Sequence, residues 1–327
     1  MYDIITFGSA TRDLFLSSKH YVSLRHKEFP TGEGLCVGAG SKIYLEDVIF
    51  ATGGGGTNAA ATFVSQNLKV AYVGKVGHDS GGQNIIDELR VLGADTKFVV
   101  ESDKEKTAYS IVLSKPGVER TILVYQGASH KLRKVEIPWP GLRSKWFYIA
   151  PLSGESAHVF PDLIDFAQKN NIAVALNPGN SQLSLGERGV KNLFKNLEVL
   201  ILNQEEGAKI TKVDFHRDEK ILRTLKSWVK GKVVLTKGPA GVLAADEEYI
   251  YKAGTPRSTI LDRTGAGDAF GSGLVSKLVR GVDFEEAIQY GTANATSCVQ
   301  EIGAKNGILK NGHWGKWDKV RVLKYKL

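Results

Sequence analysis

The sequence predicts an α/β protein: a three-layer α/β/α arrangement with a mostly parallel central sheet and a small β-sheet lid. From Trp146 onward, short apolar strands alternate with helical patterns, and this order implies right-handed crossovers and a parallel sheet. Earlier in the chain, residues 14–50 and 96–125 show β-rich or polar stretches with little helical periodicity. These two stretches predict a lid inserted beside the main sheet.

The composition is that of an ordinary globular protein. The 327 residues are 42% hydrophobic and 24% charged, and they could form one large α/β domain or two smaller ones. We expect a single α/β domain over residues 1–327. Cys36 and Cys298 lie far apart without metal-binding spacing, as is typical of a reducing compartment. No basic leader precedes the first strand, and no apolar run approaches the ~20 residues of a membrane span. We therefore expect a cytoplasmic protein with no membrane association.

The net charge of +8 is concentrated at the C-terminus. Residues 305–327 contain seven Lys or Arg residues and one acidic residue, a balance of +6, and Trp314 and Trp317 lie among them. Basic residues interleaved with aromatic ones can bind nucleic acid. We favour the alternative, an amphipathic segment that packs its tryptophans on the body of the protein, and expect no nucleic-acid partner.

The first half of the chain predicts two strand–helix units around the lid. The strand at 2–8 ends at Gly8-Ser9, and an imperfectly alternating strand at 42–50 leads to four consecutive glycines, Gly53 to Gly56. Such a run is costly inside a helix or strand, so it predicts a loop that approaches a ligand closely. The further predicted elements are helix 57–67, strand 70–73, helix 83–92, and β runs 98–100, 108–113 and 121–124.

The second half predicts a regular series of strands and helices. The predicted strands are 146–149, 172–176, 199–202 and 233–236, followed by a hairpin at 241–245 and 249–252. The predicted helices are 156–168, 185–194, 204–210, 218–229 and 269–279. The carboxyl ends of parallel strands share one edge of a sheet, where ligands bind, so residues just after these strands are candidate site residues.

Several polar residues occupy such positions. Asn203 and Glu206 start a helix three residues apart, where an amide and a carboxylate can serve hydrated Mg²⁺. The alternative for this pair is a helix N-cap with a glutamate at its third position, which needs no ligand. Asp13, after the Gly8-Ser9 break, is either a binding residue or a solvated turn acid. Asn58 in the first helical turn offers both a donor and an acceptor to hydroxyl groups.

The stretch from Asp262 to Phe270 predicts a small-residue turn that opens a helix. The backbone N–H groups of Gly265, Ala266 and Gly267 can approach an anion closely, and the helix dipole favours negative charge there. Asp268 places a carboxylate beside this turn, an arrangement that suits phosphoryl transfer to an alcohol. The alternative is a glycine-rich helix cap with an acidic first turn.

Taken together, these motifs resemble the ribokinase-like carbohydrate kinases, the PfkB family, over nearly the whole chain. The matching residues are Gly8-Ser9 with Asp13, Gly53–Gly56 with Asn58, Asn203 with Glu206, Thr236 with Gly238 and Gly241, and Asp262 to Asp268. The most specific feature is the order of a Gly-Gly…Asn motif and Thr-Gly-Ala-Gly-Asp about 210 residues later.

The resemblance implies a role for each matching residue. Asp268 would be the general base, and the backbone of Gly265, Ala266, Gly267 and Asp268 the anion hole. Asp13, Gly54, Gly55 and Asn58 would hold the sugar hydroxyls. Asn203 and Glu206 would organise Mg²⁺, through water, and the ATP phosphates, while Thr236, Gly238 and Gly241 would line the nucleotide loop. Asp262 and Thr264 match a monovalent-cation (potassium) site, and the lid implies a possible homodimer.

The sequence also departs from the family pattern. Gly55 stands where ribokinases carry a lysine, Arg263 occupies a position usually held by a small hydroxyl residue, and Glu301 replaces a basic residue near the cation loop. We therefore expect an ATP-dependent kinase acting on a hydroxymethyl group of a sugar. A nucleoside kinase on the same fold is the alternative, and a non-catalytic ligand-sensing or nucleic-acid-binding protein is the remote one.

Overall fold

A computed structural model describes residues 1–29 and 32–327. The strands in this part of the chain are β1 (Tyr2–Phe7), β2 (Thr11–Ser17), β3 (Val22–Arg25), β4 (Glu33–Cys36), β5 (Asp47–Gly53), β6 (Val70–Gly77), β7 (Val99–Ser102), β8 (Ala108–Lys115), β9 (Val118–Tyr125), β10 (Ser144–Ile149), β11 (Ala173–Leu176), β12 (Val199–Asn203), β13 (Lys232–Thr236), β14 (Val242–Ala245), β15 (Tyr249–Ala253) and β16 (Val322–Lys326). The α-helices are α1 (Gly55–Ser65), α2 (Ser80–Leu92), α3 (Phe160–Lys169), α4 (Asn180–Leu183), α5 (Gly186–Phe194), α6 (Gln204–Thr211), α7 (Asp218–Lys226), α8 (Ala266–Val279) and α9 (Phe284–Cys298).

The central sheet has the order β16-β15-β14-β13-β12-β11-β10-β1-β6-β7. The strands from β13 to β7 in this order run parallel, and β14 to β16 continue the sheet antiparallel at one edge. The prediction of a mostly parallel sheet is therefore confirmed. Parallel pairing also brings the carboxyl ends of these strands to one edge, so the candidate site residues that follow them share that edge.

Helices cover both faces of this sheet, because its strands are apolar on both sides. Neighbouring residues show the division. Ile4 belongs to the apolar core that includes side chains of α1, α2, α8 and α9, whereas Ile5 belongs to the core that includes side chains of α3, α5 and α7. Both side chains are fully buried. The expected three-layer α/β/α architecture is thus present, with one apolar core on each side of the sheet.

The second sheet has the order β5-β2-β8-β9 and lies where the sequence predicted a lid. Strand β2 pairs antiparallel with β5 and parallel with β8, and β3 and β4 form a separate hairpin. One element was wrongly assigned. The β run predicted at 98–100 belongs to β7, which pairs with β6 at the edge of the central sheet. A short apolar run does not reveal which of two sheets will receive it.

Some element boundaries also differ from the predictions. The helix expected at 156–168 is a 3₁₀ turn, Gly154–Val159, followed by α3 from Phe160. Pro161 sits in the first turn of α3, where its fixed φ fits and its missing N–H costs nothing. The helix expected at 218–229 ends at Lys226, and the strand expected at 42–50 is Asp47–Gly53.

The basic C-terminal segment is attached to the body by aromatic contacts and a strand. The ring of Trp314 meets Tyr290 of α9 edge-on at 5.1 Å, and Lys319 lies 3.9 Å above the Trp314 ring. Residues 322–326 then add β16 to the sheet edge beside β15. The segment thus packs Trp314 as predicted. Among the described residues, no helix is long and apolar enough to cross a membrane.

Candidate active site

The N-termini of α1 and α8 meet at the carboxyl edge of the central sheet. The Asn58 Nδ2 atom donates a hydrogen bond of 2.8 Å to Oδ2 of Asp268, although the two residues are 210 positions apart. The other oxygen, Oδ1, lies 3.3 Å from the position that a Cβ on Gly55 would take. Gly54, with φ 95°, adopts backbone geometry that an L side chain rarely permits and caps α1. The fold therefore unites the two glycine-rich motifs around one carboxylate.

Gly265 shapes the turn that opens α8. Its φ is 76°, and a Cβ there would lie 2.3 Å from the Cβ of Ala304. The Ala266 N–H donates to Arg263 O at 3.3 Å, and the Ala269 N–H donates to Gly265 O at 2.8 Å. Between them, the N–H groups of Gly267 and Asp268 have no hydrogen-bond acceptor in the described chain. Two free amides at a helix N-terminus form a site for an anion.

The Asp268 carboxyl lies in a crowded pocket beside these amides. Burial raises its pKa, while the hydrogen bond from Asn58 and the positive charge of Lys305 act in the opposite direction. The hydroxyl of Tyr148 lies behind it, fully buried and without a hydrogen-bond partner among the described residues. A carboxylate with a raised pKa and a free oxygen can accept a proton from an alcohol.

Asp13 lies in strand β2 of the lid sheet, not in the solvated turn that the alternative interpretation required. Its side chain is buried and accepts a hydrogen bond of 2.8 Å from the hydroxyl of Thr11. Burial raises the pKa of Asp13, and the Thr11 hydrogen bond and the Lys305 charge partly offset this. A buried carboxylate with spare acceptor capacity is suited to bind hydroxyl groups.

Lys305 is a residue that the motif analysis did not select. Only 6% of its side chain is exposed, and its ammonium contacts the Thr52 hydroxyl and lies 3.8 Å from the Glu88 carboxylate. Burial lowers its pKa to about 8, against the negative charges of Glu88, Asp13 and Asp268. The sequence offers only a weak indication of its role. Lys305 lies between Gly303 and Gly307 and was counted with the basic C-terminal segment.

Asn203 and Glu206 form a reciprocal cap at the start of α6. The Glu206 N–H donates to Asn203 Oδ1 at 2.8 Å, and the Asn203 N–H donates to Glu206 Oε2 at 2.9 Å. The helix N-cap that the sequence predicted as the alternative for this pair is therefore present. A carboxylate has more lone pairs than this cap uses, so Glu206 can still accept hydrogen bonds from water, and the cap and a role toward Mg²⁺ are compatible.

The candidate nucleotide loop follows β13, next to the end of β12. Thr236 is partly buried, and its hydroxyl donates to Leu202 O at 3.4 Å. Gly238 is exposed and begins a 3₁₀ turn, Gly238–Ala240, while Gly241 after the turn is buried. The turn thus lies on the same edge as α6, with open backbone at Gly238.

Asp262 and Thr264 form a compact cluster just before the anion-hole turn. Oδ1 of Asp262 accepts from the Thr264 N–H at 3.0 Å and from the Thr264 hydroxyl at 2.7 Å. Oδ2 accepts from the Gly303 N–H at 3.1 Å. A guanidinium nitrogen of Arg120, from β9 of the lid, also contacts Asp262 and lies 2.8 Å from the Thr264 hydroxyl. Arg263 between them is exposed.

A large cleft of the described surface lies elsewhere. A cleft of about 550 Å³ opens near the amino ends of β12 and β13, lined by charged groups such as Glu198, Lys232 and Lys324. It contains none of the predicted site residues. The predicted site residues lie at the opposite, carboxyl edge of the sheet, where their chemistry converges.

Known proteins match this chain over most of its length. The family model for pfkB family carbohydrate kinases matches residues 29–311. A ribokinase of Haemophilus influenzae is 27% identical over 285 residues, covering 82% of this chain and 88% of that protein. A cytidine kinase of Thermococcus kodakarensis is 25% identical over 269 residues, covering 81% and 90%.

Solved structures show the same fold. Arabidopsis thaliana ribokinase complexed with ribose and ATP superimposes with a TM-score of 0.78 at 20% identity, covering 94% of this chain and 96% of that one. A Burkholderia thailandensis nucleoside kinase in complex with inosine gives 0.73 at 15% identity, covering 93% and 94%. The family match spans most of the chain. The chain therefore belongs to the pfkB family of carbohydrate kinases and is an ATP-dependent phosphotransferase.

Proposed function

We propose that the protein transfers the γ-phosphoryl group of ATP to the hydroxymethyl group of a sugar. The observation that carries this proposal is the juxtaposition of Asp268 with the free amides of Gly267 and Asp268 at the start of α8. The carboxylate accepts the proton of the attacking hydroxyl, and the amides stabilise the negative charge of the phosphoryl group in flight. Positioning and charge stabilisation supply most of the catalysis of such a transfer.

The acceptor lies between α1 and the lid in this proposal. Asp13, Asn58 and the backbone of Gly54 and Gly55 bind its hydroxyl groups and direct one of them at Asp268. The Asn58 amide already donates to Asp268, and its buried Oδ1 has no partner among the described residues. A buried acceptor without a donor is costly, so a hydroxyl group of the substrate would donate the missing hydrogen bond to this oxygen.

ATP lies along the carboxyl edge of β12 and β13. Thr236, Gly238 and Gly241 line the nucleotide, and Asn203 and Glu206 face its phosphates. Mg²⁺, held through water by the Glu206 carboxylate, would neutralise phosphate charge when it is bound. Lys305 adds a cation on the acceptor side, where it favours the ionised forms of Asp13 and Asp268.

Nucleosides are the second class of acceptor, because a nucleoside presents the same hydroxymethyl group on its ribose. The sequence similarity to a cytidine kinase and the structural similarity to a nucleoside kinase with inosine favour testing this class. The lid sheet forms the wall against which a base would pack. The choice between sugar and nucleoside thus depends on the lid.

A screen of ADP release decides the acceptor. The purified protein is assayed with MgATP and D-ribose, D-fructose, cytidine or inosine, and the Asp268→Asn variant serves as the control for contaminating kinases. We expect one acceptor class to be used, and the variant to lower kcat by roughly 10²–10⁴-fold, the usual contribution of a general base. Turnover by the variant near the wild-type rate would exclude Asp268 as the base.

The exposed apolar surface of the lid suggests a homodimer. Phe50 on β5 is 64% exposed and Val124 on β9 is 63% exposed, and both strands are edges of the lid sheet. Exposed apolar edge strands are costly in water and invite pairing. A second copy of the chain would cover them. Light scattering after size exclusion should give twice the 35.6 kDa chain mass.

A further inference from the structure

Arg120 links the lid to the loop that precedes the anion hole. It belongs to β9, and its guanidinium reaches across 142 residues of sequence to Asp262 and Thr264. The Asp262 side chain is 6% exposed and that of Arg120 is 30% exposed. An ion pair at this depth is far less screened than a surface pair. The contact therefore holds a specific lid position against the catalytic loop.

The cluster does not fit the monovalent cation that the family resemblance implies. Oδ1 of Asp262 accepts three donors, the Thr264 N–H, the Thr264 hydroxyl and Arg120. Oδ2 accepts the Gly303 N–H. The Thr264 hydroxyl is itself shared with Arg120. A potassium ion needs free oxygen lone pairs, and here they are occupied by donors, one of which carries a full positive charge.

The same cluster sets the geometry of the anion hole. Asp262 fixes the Thr264 N–H on one side and the Gly303 N–H on the other. Gly265 follows Thr264 directly and lies against Ala304, which follows Gly303. The two segments that shape the turn before the free amides of Gly267 and Asp268 are thus held by one carboxylate, and Arg120 neutralises that carboxylate.

We propose that the Arg120 guanidinium takes the place of a monovalent cation beside the anion hole, so that the lid itself supplies this charge. Arg120 is then a positioning residue that acts through Asp262. Closing the lid orders the loop that stabilises the transferring phosphoryl group, and turnover needs no dissolved potassium. The inference rests on the proposed kinase function, whose failure would appear separately as absence of turnover with every acceptor.

The first experiment measures ADP release by the wild-type protein with MgATP and D-ribose, D-fructose, cytidine or inosine. One buffer contains tetramethylammonium as its only monovalent cation. The other is the same buffer with added KCl. We expect kcat to be the same within about twofold in both. No turnover with any acceptor in either buffer would overturn the proposed function. Turnover only in KCl would leave that function intact and overturn the role of Arg120.

Variants of Arg120 test the charge directly. Arg120→Ala and Arg120→Gln should lower kcat about tenfold or more in the potassium-free buffer, as expected when a charge that organises an anion hole is lost. Added KCl or guanidinium chloride should restore part of this loss, and Arg120→Lys should stay active without KCl. Glu119→Ala, an exposed neighbour on β9, is the matched control and should behave as wild type.

Rescue separates a charge role from a structural one. If Arg120→Ala unfolds, which thermal denaturation would show, the comparison of Arg120→Gln with Arg120→Lys decides. Wild-type activity of Arg120→Gln without KCl would overturn the proposal. An equal loss in the Gln and Lys variants, restored by neither cation, would also overturn it, because the guanidinium would then serve only lid packing.

Discussion

Replacing Lys305 by glutamine removes the buried ammonium from the acceptor side of the site. Its side chain is 6% exposed, and its neighbours are Glu88 on α2, Asp13 and Arg12 on β2, and Asp268 on α8. Burial lowers the pKa of Lys305 to about 8, from a usual value of 10.5. At pH 7 most of the molecules therefore carry this charge. Above pH 8 most of them lose it.

The magnitude follows from the burial of Lys305. Lowering its pKa from 10.5 to about 8 disfavours the charged form by roughly 3–4 kcal/mol, because one pKa unit is about 1.4 kcal/mol. The ammonium lowers the pKa of Asp268, so its removal raises that pKa further.

The pH profile of kcat measures both consequences. The base must be ionised, so activity falls on the acidic side of its pKa, and Lys305→Gln should move this limb upward. Above about pH 8, where Lys305 deprotonates, the wild-type protein should lose part of its activity and fall to the level of Lys305→Gln at the same pH. Lys305→Arg, which stays charged, should lack that alkaline limb. Lys310→Gln, at an exposed lysine nearby in the chain, is the matched control.

Two results would refute this reasoning. An alkaline limb near pH 8 that persists in Lys305→Gln would belong to another group. An acidic limb that stays in place in the same variant would mean that Lys305 does not influence the base. In either case the buried ammonium would serve the packing of the 303–307 segment alone.

Three further substitutions test other parts of the site. Asp13→Ala should weaken acceptor binding about tenfold or more, the worth of hydrogen bonds to a charged group, while ATP binding survives; calorimetry showing equal loss of both would contradict the assignment. Gly265→Ala should lower the free energy of unfolding by roughly 1–3 kcal/mol, because its φ of 76° is strained for alanine and its Cβ would meet Ala304. Urea denaturation measures this, and Gly267→Ala, where a Cβ would enter open space, should not be destabilised. Arg263→Ala should raise the KM for ATP about two- to fivefold, the worth of an exposed charge next to a phosphate site, and an unchanged KM would exclude this contact.

The site residues that the sequence could reveal are those whose chemistry is local. Glycines before a helix and a carboxylate in its first turn identify the start of α8, because unsatisfied amides are a property of every helix N-terminus. The reciprocal cap of Asn203 and Glu206 could also be predicted, because it depends only on two residues three positions apart at a helix start. The alternation of strands and helices predicted that such residues would lie at the carboxyl edge of the central sheet.

Other features needed the folded chain. Strand β7 joined the central sheet because β6 offered a free edge there, which a short run of apolar residues does not disclose. Asp13 was expected after a break in the chain and lies inside a strand of the lid. Lys305 was counted with the basic C-terminal segment and is buried among carboxylates, because the segment 303–307 turns inward against β5.

The sequence by itself determined the layered α/β architecture, the two glycine-rich turns and the carboxylate between them, since periodicity and helix ends depend on neighbouring residues. Only the tertiary structure decided which distant charges surround that carboxylate. Asp268 meets Asn58 across 210 residues, and Arg120 meets Asp262 across 142. Burial and Coulomb interactions depend on distance in space, and packing sets that distance between residues far apart in the chain.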